Sequence, residues 1–404
     1  MTAMSSQDIS LLDRAHLYLA DYFSGEAPSR ELTQHLVFDA LHHHLAVNPE
    51  FAAYARSVAG DALDSPAILT SPLMPLLPSG LFKRRGVQIQ SVSPELVIKR
   101  CLSSGTSGSV STIVRDESTL LNFMTSITAS LPAVFDLERS ADLSGIVLGP
   151  STEEVGDLWF SYVISCLSLI MRTTYCEAGG EFDAQGAADA VRACRIDRQP
   201  YLLIGPPHRI LDVCRLLEGE ALPPSHPRAL VVSAGGWKTL QKQAISAPAF
   251  RATAMRTLNI HDESQVRDSF NMVELNTVLN ECEHHHKHVP PWLIVQSRHP
   301  QTNEVLPDRE IGVLCFMDAG ALSYPCFIMS EDFGFVNRSV CTCGRHGGTF
   351  EITRRMTRIE QRGCALKMSG AGAQRSTVGS ERFFASIYRD PRLLARVYEA
   401  SEQR

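Results

Sequence analysis

Residues 103–108 combine the side-chain types that bind phosphate groups. Their sequence supplies two glycines and four hydroxyl side chains, namely Ser103, Ser104, Gly105, Thr106, Ser107 and Gly108. Glycine allows the backbone to approach an anion closely, and amide and hydroxyl groups donate hydrogen bonds to phosphate oxygens. The segment is not a Walker loop, because no Gly-Lys-Ser/Thr sequence closes it. Considered alone, it fits either a phosphate-binding loop or a flexible surface loop.

A second group of residues has the spacing of metal ligands. Cys282 and His288 form a Cys-x5-His pair, and Cys341 and Cys343 form a Cys-x-Cys pair. Three thiolates and one imidazole are sufficient for a closed tetrahedral zinc site. The histidines at 284–286 are alternatives to His288 as the nitrogen ligand. The sequence therefore predicts a structural zinc site that joins two loops, with reduced thiols in loops as the alternative.

Five motifs occur in the order found in adenylate-forming enzymes, and they carry a resemblance to that superfamily. The first is the segment 103–108, which resembles the phosphate loop Thr/Ser-Ser-Gly-Thr-Thr/Ser-Gly. The others are Ser233-Ala-Gly235-Gly236-Trp-Lys238, Phe270-Asn271-Met-Val-Glu274, Glu331-Asp332-Phe-Gly and Arg354-Arg355. The resemblance covers residues 96–368. It implies the large α/β domain of these enzymes, with layered sheets and helices, followed by a short C-terminal appendage.

The resemblance also implies how ATP and Mg²⁺ are bound. Gly235 and Gly236 would lie against adenine, and Asp332 would accept the ribose hydroxyls. Glu274, in the motif that begins with Phe270 and Asn271, would hold Mg²⁺. Arg355 falls where the family has Gly-Arg before the hinge to its C-terminal domain. These residues form the predicted nucleotide site.

Within the superfamily, the chain is similar to the acyl-protein synthetases of bacterial luminescence operons, with phenylacetate–CoA ligases as cousins. The similarity implies ATP-dependent activation of a carboxylic acid as acyl-AMP, with release of pyrophosphate. The acyl group would then pass to a thiol of the enzyme itself, of coenzyme A or of a carrier protein. Two alternatives stay open: transfer to an amine, giving an amide, and a degenerate subunit that binds nucleotide without turnover.

Three residues are candidates for the catalytic steps. Cys364 sits where the acyl-protein synthetases have the cysteine that accepts the acyl group as a thioester. The preceding residues Arg358 and Arg362 are cationic, and such neighbours lower a thiol pKa. Most relatives use a lysine of the C-terminal domain in adenylation, and Lys367 is the only lysine there. Lys238 or an arginine is the alternative.

The chain departs from the family pattern at several positions. Residues 109–111 read Ser-Val-Ser, without the Pro-Lys that many adenylate-forming enzymes carry after the phosphate loop. Asn271 and Val273 replace the Gly and Thr of the magnesium motif. The C-terminal segment is about half the size usual in the family. The replaced positions of the magnesium motif and the missing loop lysine support the degenerate alternative.

The elements that must position these residues follow from the apolar patterns. Short apolar runs predict strands at 145–148, 201–204, 229–233, 292–296, 312–317 and 327–330. Helical patterns lie between them, at 153–175 and 206–218, and at several places in the first 75 residues. Alternating strands and helices favour an α/β fold with a parallel sheet. The predicted organisation is an N-terminal helical part at 1–95, an adenylation core at 96–353 and a reduced C-terminal subdomain at 354–404.

Composition excludes several classes of protein. The 404 residues contain 38 Lys and Arg against 44 Asp and Glu, so a nucleic-acid partner is not expected. The apolar run at 163–171 is interrupted by Ser165 and Ser168 and is too short for a membrane span. Eleven cysteines without an export signal predict reduced thiols and a cytoplasmic location. The expected partners are a carboxylic acid, ATP and an acyl acceptor.

Overall fold

Two β-sheets form the centre of the protein. The computed structural model describes residues 30–84, 89–104, 110–135, 137, 143–237 and 244–355. The strands in these ranges are β1 Leu77–Pro78, β2 Lys99–Leu102, β3 Thr112–Arg115, β4 Ser144–Pro150, β5 Arg172–Ala178, β6 Glu181–Phe182, β7 Tyr201–Gly205, β8 Leu230–Ala234, β9 Val266–Phe270, β10 Leu279–Asn280, β11 Lys287–His288, β12 Leu293–Arg298, β13 Gly312–Asp318, β14 Phe327–Asn337 and β15 Thr349–Arg355. The α-helices are α1 Arg30–Val47, α2 Pro49–Ala59, α3 Glu117–Phe135, α4 Trp159–Ser165, α5 Ala184–Ile196, α6 Pro207–Leu217 and α7 Ala247–Leu258.

The first sheet has the order β10-β9-β8-β7-β4-β5-β6, and its five inner strands are parallel. Helices α5, α6 and α7 pack their apolar sides against it, and Val191, Val213 and Leu258 belong to the resulting core. Parallel strands covered by helices are buried, which explains the uninterrupted apolar run at Tyr201–Gly205. The predicted α/β architecture is confirmed in this sheet.

The second sheet is antiparallel, with the order β11-β15-β14-β13-β12 and with β1 added parallel to β14. The prediction of one parallel sheet is wrong for these strands. The connections from β12 to β13 and from β13 to β14 contain no helix in the described chain. Parallel neighbours need a long crossover, whereas shorter connections return the chain antiparallel. The strand β15 ends at Arg355, two residues beyond the predicted domain boundary.

Only the middle of the predicted helix at 153–175 is helical, since α4 begins at Trp159. Helix α4 ends at Ser165, a 3₁₀ turn follows at Cys166–Leu169, and the chain then enters β5. The segment contains Thr173, Thr174 and Tyr175, and β-branched and aromatic side chains favour strands. The segment Arg172–Ala178 therefore forms strand β5, which pairs with β4.

Helix α3 is long and apolar enough to cross a bilayer, but most of it is buried inside the protein. Phe123, Met124 and Ile127 belong to the large core that includes residues of both sheets. The helix starts after Asp116, whose carboxylate accepts from the Thr119 amide at 2.9 Å. These contacts are those of a core helix in a globular protein.

Candidate active site

The stem of the predicted phosphate loop is a β-hairpin formed by β2 and β3. Beyond the paired strands, the Ser103 amide donates to the Ser111 carbonyl at 3.0 Å. The Ser111 amide donates back to the Ser103 hydroxyl at 2.9 Å. These bonds fix both ends of the loop and place Ser103 and Ser104 at its base.

The glycine pair lies at the carboxyl end of β8. Gly235 and Gly236 have φ angles of 77° and 62°, which glycine adopts without strain. A Cβ atom at Gly235 would lie 2.5 Å from the Phe160 ring, so a side chain does not fit there. Ligands of open α/β sheets bind outside the carboxyl ends of the strands. The pair therefore lies at the edge of the sheet where such ligands bind, and its contact with adenine stays a prediction.

Glu274 is buried in the segment between β9 and β10 and is 4% exposed. Burial raises the pKa of its carboxyl, while the Ser111 hydroxyl and the Lys83 ammonium oppose this shift. Ser111 belongs to the stem of the phosphate loop, so the carboxyl lies beside the base of that loop. A buried carboxylate is stabilised strongly by a bound cation. Glu274 is thus a buried acid beside the phosphate-loop stem, and its role as a magnesium ligand stays a prediction.

Arg115, which lies outside the sequence motifs of the predicted site, holds the segment that carries Glu274. Its Nη2 donates to the carbonyls of Val273 and Leu275, on either side of Glu274, at 2.8 and 3.0 Å. Its guanidinium lies over the Trp159 ring at 3.6 Å. No local sequence pattern marks this role, because the two carbonyls lie 158 and 160 residues away in the chain.

The side chains of Phe270 and Asn271 contact other residues of the protein core. The Phe270 ring packs against Phe316 and against Phe350, with 5.9 Å between ring centroids in each pair. The Asn271 amide accepts from Trp159 Nε1 at 2.6 Å and donates to the Thr277 carbonyl at 2.7 Å. These contacts fix the segment around Glu274. The predicted cofactor contacts of Phe270 and Asn271 stay predictions.

Asp332 and Arg355 face each other across β14 and β15. Arg355 Nε lies 3.9 Å from Asp332 Oδ1. Burial raises the pKa of the Asp332 carboxyl, and the Arg355 guanidinium opposes the shift. The neighbouring Glu331 binds Arg355 Nη2 at 3.3 Å and Lys83 Nζ at 2.6 Å. Lys83 belongs to none of the sequence motifs that predict the site.

The predicted metal ligands come together in space. The ligand atoms of Cys282, His288, Cys341 and Cys343 all lie within 4.8 Å of one another. The Cys282 and Cys341 sulfurs are 3.9 Å apart, and Cys343 Sγ is 3.3 Å from His288 Nε2. Ideal tetrahedral zinc coordination has edges of about 3.8 Å between sulfurs and about 3.6 Å between sulfur and nitrogen. The donor set and its dimensions fit a tetrahedral metal ion.

The surroundings of this cluster favour a neutral imidazole. Burial, and then the Arg345 guanidinium, lower the pKa of His288 to about 4. Of the three histidines at 284–286, His286 also reaches the cluster, since its Nδ1 lies 3.3 Å from Cys341 Sγ. Arg345 itself binds Glu283 at 2.6 Å. His288 completes the compact set of four, and His286 is a neighbour of it.

The remaining predicted site residues lie outside the described residues. They are Gly105, Thr106, Ser107 and Gly108 of the phosphate loop and the catalytic candidates Lys238, Cys364 and Lys367. Their roles stay predictions.

Sequence comparison relates the chain to a family of acyl-activating enzymes. Residues 5–372 match the family model of acyl-protein synthetase, LuxE. A long-chain-fatty-acid–luciferin-component ligase of Aliivibrio fischeri is 31% identical over 343 residues, which cover 84% of this chain and 88% of the relative. The ligase of the same name from Vibrio harveyi is 29% identical over 354 residues, covering 87% and 91%.

Solved structures with a similar fold are acyl-CoA ligases. The open conformation of 2-hydroxyisobutyryl-CoA ligase with 2-HIB-AMP and CoA has a TM-score of 0.61 at 12% identity, covering 80% of this chain and 74% of the ligase. The same ligase in its thioesterification state has a TM-score of 0.59 at 13% identity, covering 81% and 68%. This likeness confirms the predicted fold of adenylate-forming enzymes.

Proposed function

The chain belongs to the LuxE acyl-protein synthetase family, and we propose from this membership that its substrate is a long-chain fatty acid. The protein is a ligase that forms an acyl-AMP from a carboxylic acid and ATP and then passes the acyl group to a thiol. Both curated relatives are named for a long-chain fatty acid. Their similarity extends over more than four fifths of the chain, which supports the same substrate class here.

The proposal is carried by Glu274, which lies beside Ser111 of the phosphate-loop stem and shares the neighbouring Lys83 ammonium with Asp332. In the first step, a carboxylate oxygen of the acid attacks the α-phosphorus of ATP. The bond from the α-phosphorus to the oxygen that bridges it to the β-phosphate breaks, and pyrophosphate leaves with its electron pair. In the second step, a thiolate attacks the acyl carbon, the acyl–oxygen bond breaks and AMP leaves.

The chain's own residues would bind and orient ATP for the first step. Asp332, held by Arg355, would accept the two ribose hydroxyls with charge-assisted hydrogen bonds. The open backbone at Gly235 and Gly236 would lie against the adenine ring. The phosphate loop would donate to the departing pyrophosphate.

Glu274 would hold Mg²⁺ at the base of the phosphate loop. The bound ion would neutralise charge on the phosphates as pyrophosphate leaves. Burial of the carboxyl and its place beside Ser111 support this assignment. Arg115 would position it by fixing the backbone on both sides.

The acyl acceptor in this proposal is the Cys364 thiol, with coenzyme A or a carrier protein as alternative acceptors. Covalent capture divides a difficult transfer into two easier ones. Lys367, or Lys238, would supply a cation near the α-phosphate. The assignments of Cys364 and Lys367 rest on the family's pattern in the C-terminal segment.

We also propose that Cys282, His288, Cys341 and Cys343 bind a structural Zn²⁺. The four donor atoms form a closed set, which leaves no coordination position for a substrate. Zinc would connect the segment after β10 with the loop between β14 and β15. These two segments lie next to the predicted magnesium and ribose residues in the sequence.

ATP–pyrophosphate exchange over a panel of carboxylic acids, from short aryl acids to long fatty acids, tests the first step. We expect exchange with long-chain acids and its loss in Asp332→Asn. Asp212→Asn, on the exposed side of α6, is the matched control and should exchange as the wild type does. Exchange with aryl acids alone would refute the substrate class. No exchange with any acid, together with tight ATP binding, would favour the nucleotide-binding subunit.

Labelled fatty acid tests the second step. The wild-type protein should retain the label in a bond that hydroxylamine cleaves, and Cys364→Ser should lose the label while exchange continues. The Cys166→Ser variant, changed at a core cysteine, serves as the control. Label that persists in Cys364→Ser would assign the acceptor to another group. A product stable to hydroxylamine would indicate an amide.

A further inference from the structure

The nucleotide site contains three acidic side chains, and ATP brings further negative charge to them. Glu274, Glu331 and Asp332 all lie around the proposed position of the nucleotide. The phosphate-loop segment 103–111 contributes hydroxyls and amides but no positive side chain. Electrostatics therefore requires cations from elsewhere in the fold before phosphates can bind.

Lys83 is placed to supply one of these cations. It ends a 3₁₀ helix, Ser79–Lys83, that follows β1 directly. Because β1 pairs with β14 at Ile328 and Met329, this helix lies beside the part of β14 that carries Glu331. The Lys83 ammonium binds Glu331 at 2.6 Å, and the two side chains are only 18% and 15% exposed.

The charge of Lys83 reaches the other two acids as well. Its ammonium contributes to lowering the pKa of Glu274 and of Asp332, against the effect of burial. Arg355 binds the other oxygen of Glu331 at 3.3 Å. Glu331 thus holds one cation on each of its oxygens, next to the proposed ribose ligand.

The other lysines among the described residues contact groups outside this site. Lys99 is buried, donates to the Gly156 carbonyl at 3.1 Å and lies over the Tyr162 ring. Lys287 binds Asp268 and Glu281, each at 2.9 Å. In the described part of the chain, Lys83 is the lysine that faces the acids of the site.

We propose that Lys83 binds the phosphate groups of ATP, taking the role of a cation that the phosphate loop lacks. An ammonium group has three donors, so Lys83 can keep its bond to Glu331 and donate to a phosphate oxygen at the same time. The inference rests on the proposed function, because it assumes that ATP occupies this site.

Equilibrium binding of ATP and of adenosine, each measured by calorimetry in the presence of Mg²⁺, separates phosphate contacts from the rest. Lys83→Met should weaken ATP binding about 10- to 100-fold, the effect of losing one charge-assisted hydrogen bond. Adenosine binding should stay unchanged. Lys83→Arg should keep most of the ATP affinity. Arg256→Met, which removes one positive charge from an exposed site on α7, should behave as the wild type does.

Glu331→Gln distinguishes phosphate binding from a purely structural ion pair. Both Glu331→Gln and Lys83→Met break the same pair, so a structural role predicts the same loss in both variants. Phosphate binding predicts that Glu331→Gln retains ATP affinity, since the cation is still present. Equal losses, or losses of ATP and adenosine affinity together in Lys83→Met, would overturn the inference.

The proposed function fails by a different result. If the wild type shows no ATP binding, both the function and the inference are wrong. If the wild type catalyses exchange and Lys83→Met binds ATP equally well, only the inference is wrong.

Discussion

At the scale of single residues, the burial of Glu274 disfavours the ionised carboxylate that its proposed role requires. Its carboxyl is 4% exposed, and burial raises its pKa. A carboxyl whose pKa is higher in the folded protein than in the unfolded chain destabilises the fold when it is ionised. The proposed Mg²⁺ contact nevertheless requires the ionised form. Burial of this carboxyl therefore costs stability, and the proposed Mg²⁺ contact supplies a reason for its position.

Glu274→Gln should separate the two effects. We expect a higher melting temperature at pH 7, because the desolvated charge is gone, and about 100-fold or greater loss of ATP–pyrophosphate exchange. The gain in stability should shrink as the pH falls towards the ordinary carboxyl pKa of 4.5, where both states bind the proton. Thermal unfolding at several pH values measures it, with the exposed Glu153→Gln as control. An equal gain at pH 4 would show that ionisation is not the cause.

The sequence predicts the residues of motifs far better than the residues that support them. Asp332 and Glu274 stand within short patterns, and the structure brings both to the same site. Lys83 and Arg115 belong to no such pattern. The Lys83–Glu331 bond joins positions 248 residues apart, and the carbonyls that Arg115 binds lie 158 and 160 residues away from it in the chain. Such contacts depend on the completed fold, so no local spacing reveals them.

At the scale of elements, the turn after β8 depends on two glycines for different reasons. Gly235 has a positive φ and no room for a Cβ atom, because the Phe160 ring of α4 lies against it. Gly236 also has a positive φ, but a Cβ atom there would have nothing within 4 Å. A side chain at Gly236 would meet backbone strain alone, whereas a side chain at Gly235 would meet backbone strain and steric overlap.

Gly235→Ala should destabilise the protein more than Gly236→Ala. We expect about 1 kcal/mol for Gly236→Ala, from backbone strain alone, and about 2–4 kcal/mol for Gly235→Ala, from strain plus overlap. Urea unfolding measures both. A double-mutant cycle with Phe160→Ala should show a favourable coupling, because removal of the ring relieves the overlap. Equal costs for the two alanines would mean that the ring moves aside freely.

Apolar patterns locate strands but do not fix how the strands pair. Each of the six predicted strands overlaps an observed one, yet three of them belong to the antiparallel sheet. The run Tyr201–Gly205 lies in the parallel sheet and the run Gly312–Asp318 in the antiparallel sheet. Both runs are buried along their whole lengths. Burial on both faces therefore gives the same pattern in either sheet. Only the connections distinguish the two, since a helix follows β7 whereas no helix follows β13 in the described chain.

At the scale of the whole molecule, the Cys/His cluster lies where the two sheets approach each other. Cys282 follows β10, the edge of the first sheet, and His288 lies on β11, the edge of the second. A bridge between Glu281 and Lys287 joins the two edges directly. The other two ligands come from the loop between β14 and β15. A metal bound here would connect both sheets and the hairpin that carries Asp332.

Removal of one metal ligand should therefore lower the stability of the whole fold. Cys343→Ser is the best choice, because Cys343 is the most exposed of the four and its replacement disturbs packing least. We expect about one zinc per chain in the wild type by elemental analysis, loss of that zinc in Cys343→Ser, and a melting temperature lower by roughly 5 °C or more. Cys194→Ser, changed at a core cysteine outside the cluster, should retain the metal.

A chelator should lower the melting temperature of the wild type but not that of Cys343→Ser, because only the wild type has metal to lose. Metal-free wild-type protein with unchanged stability would show that the cluster is a group of reduced thiols, and that the hydrogen bonds between the two sheet edges are sufficient to hold them together.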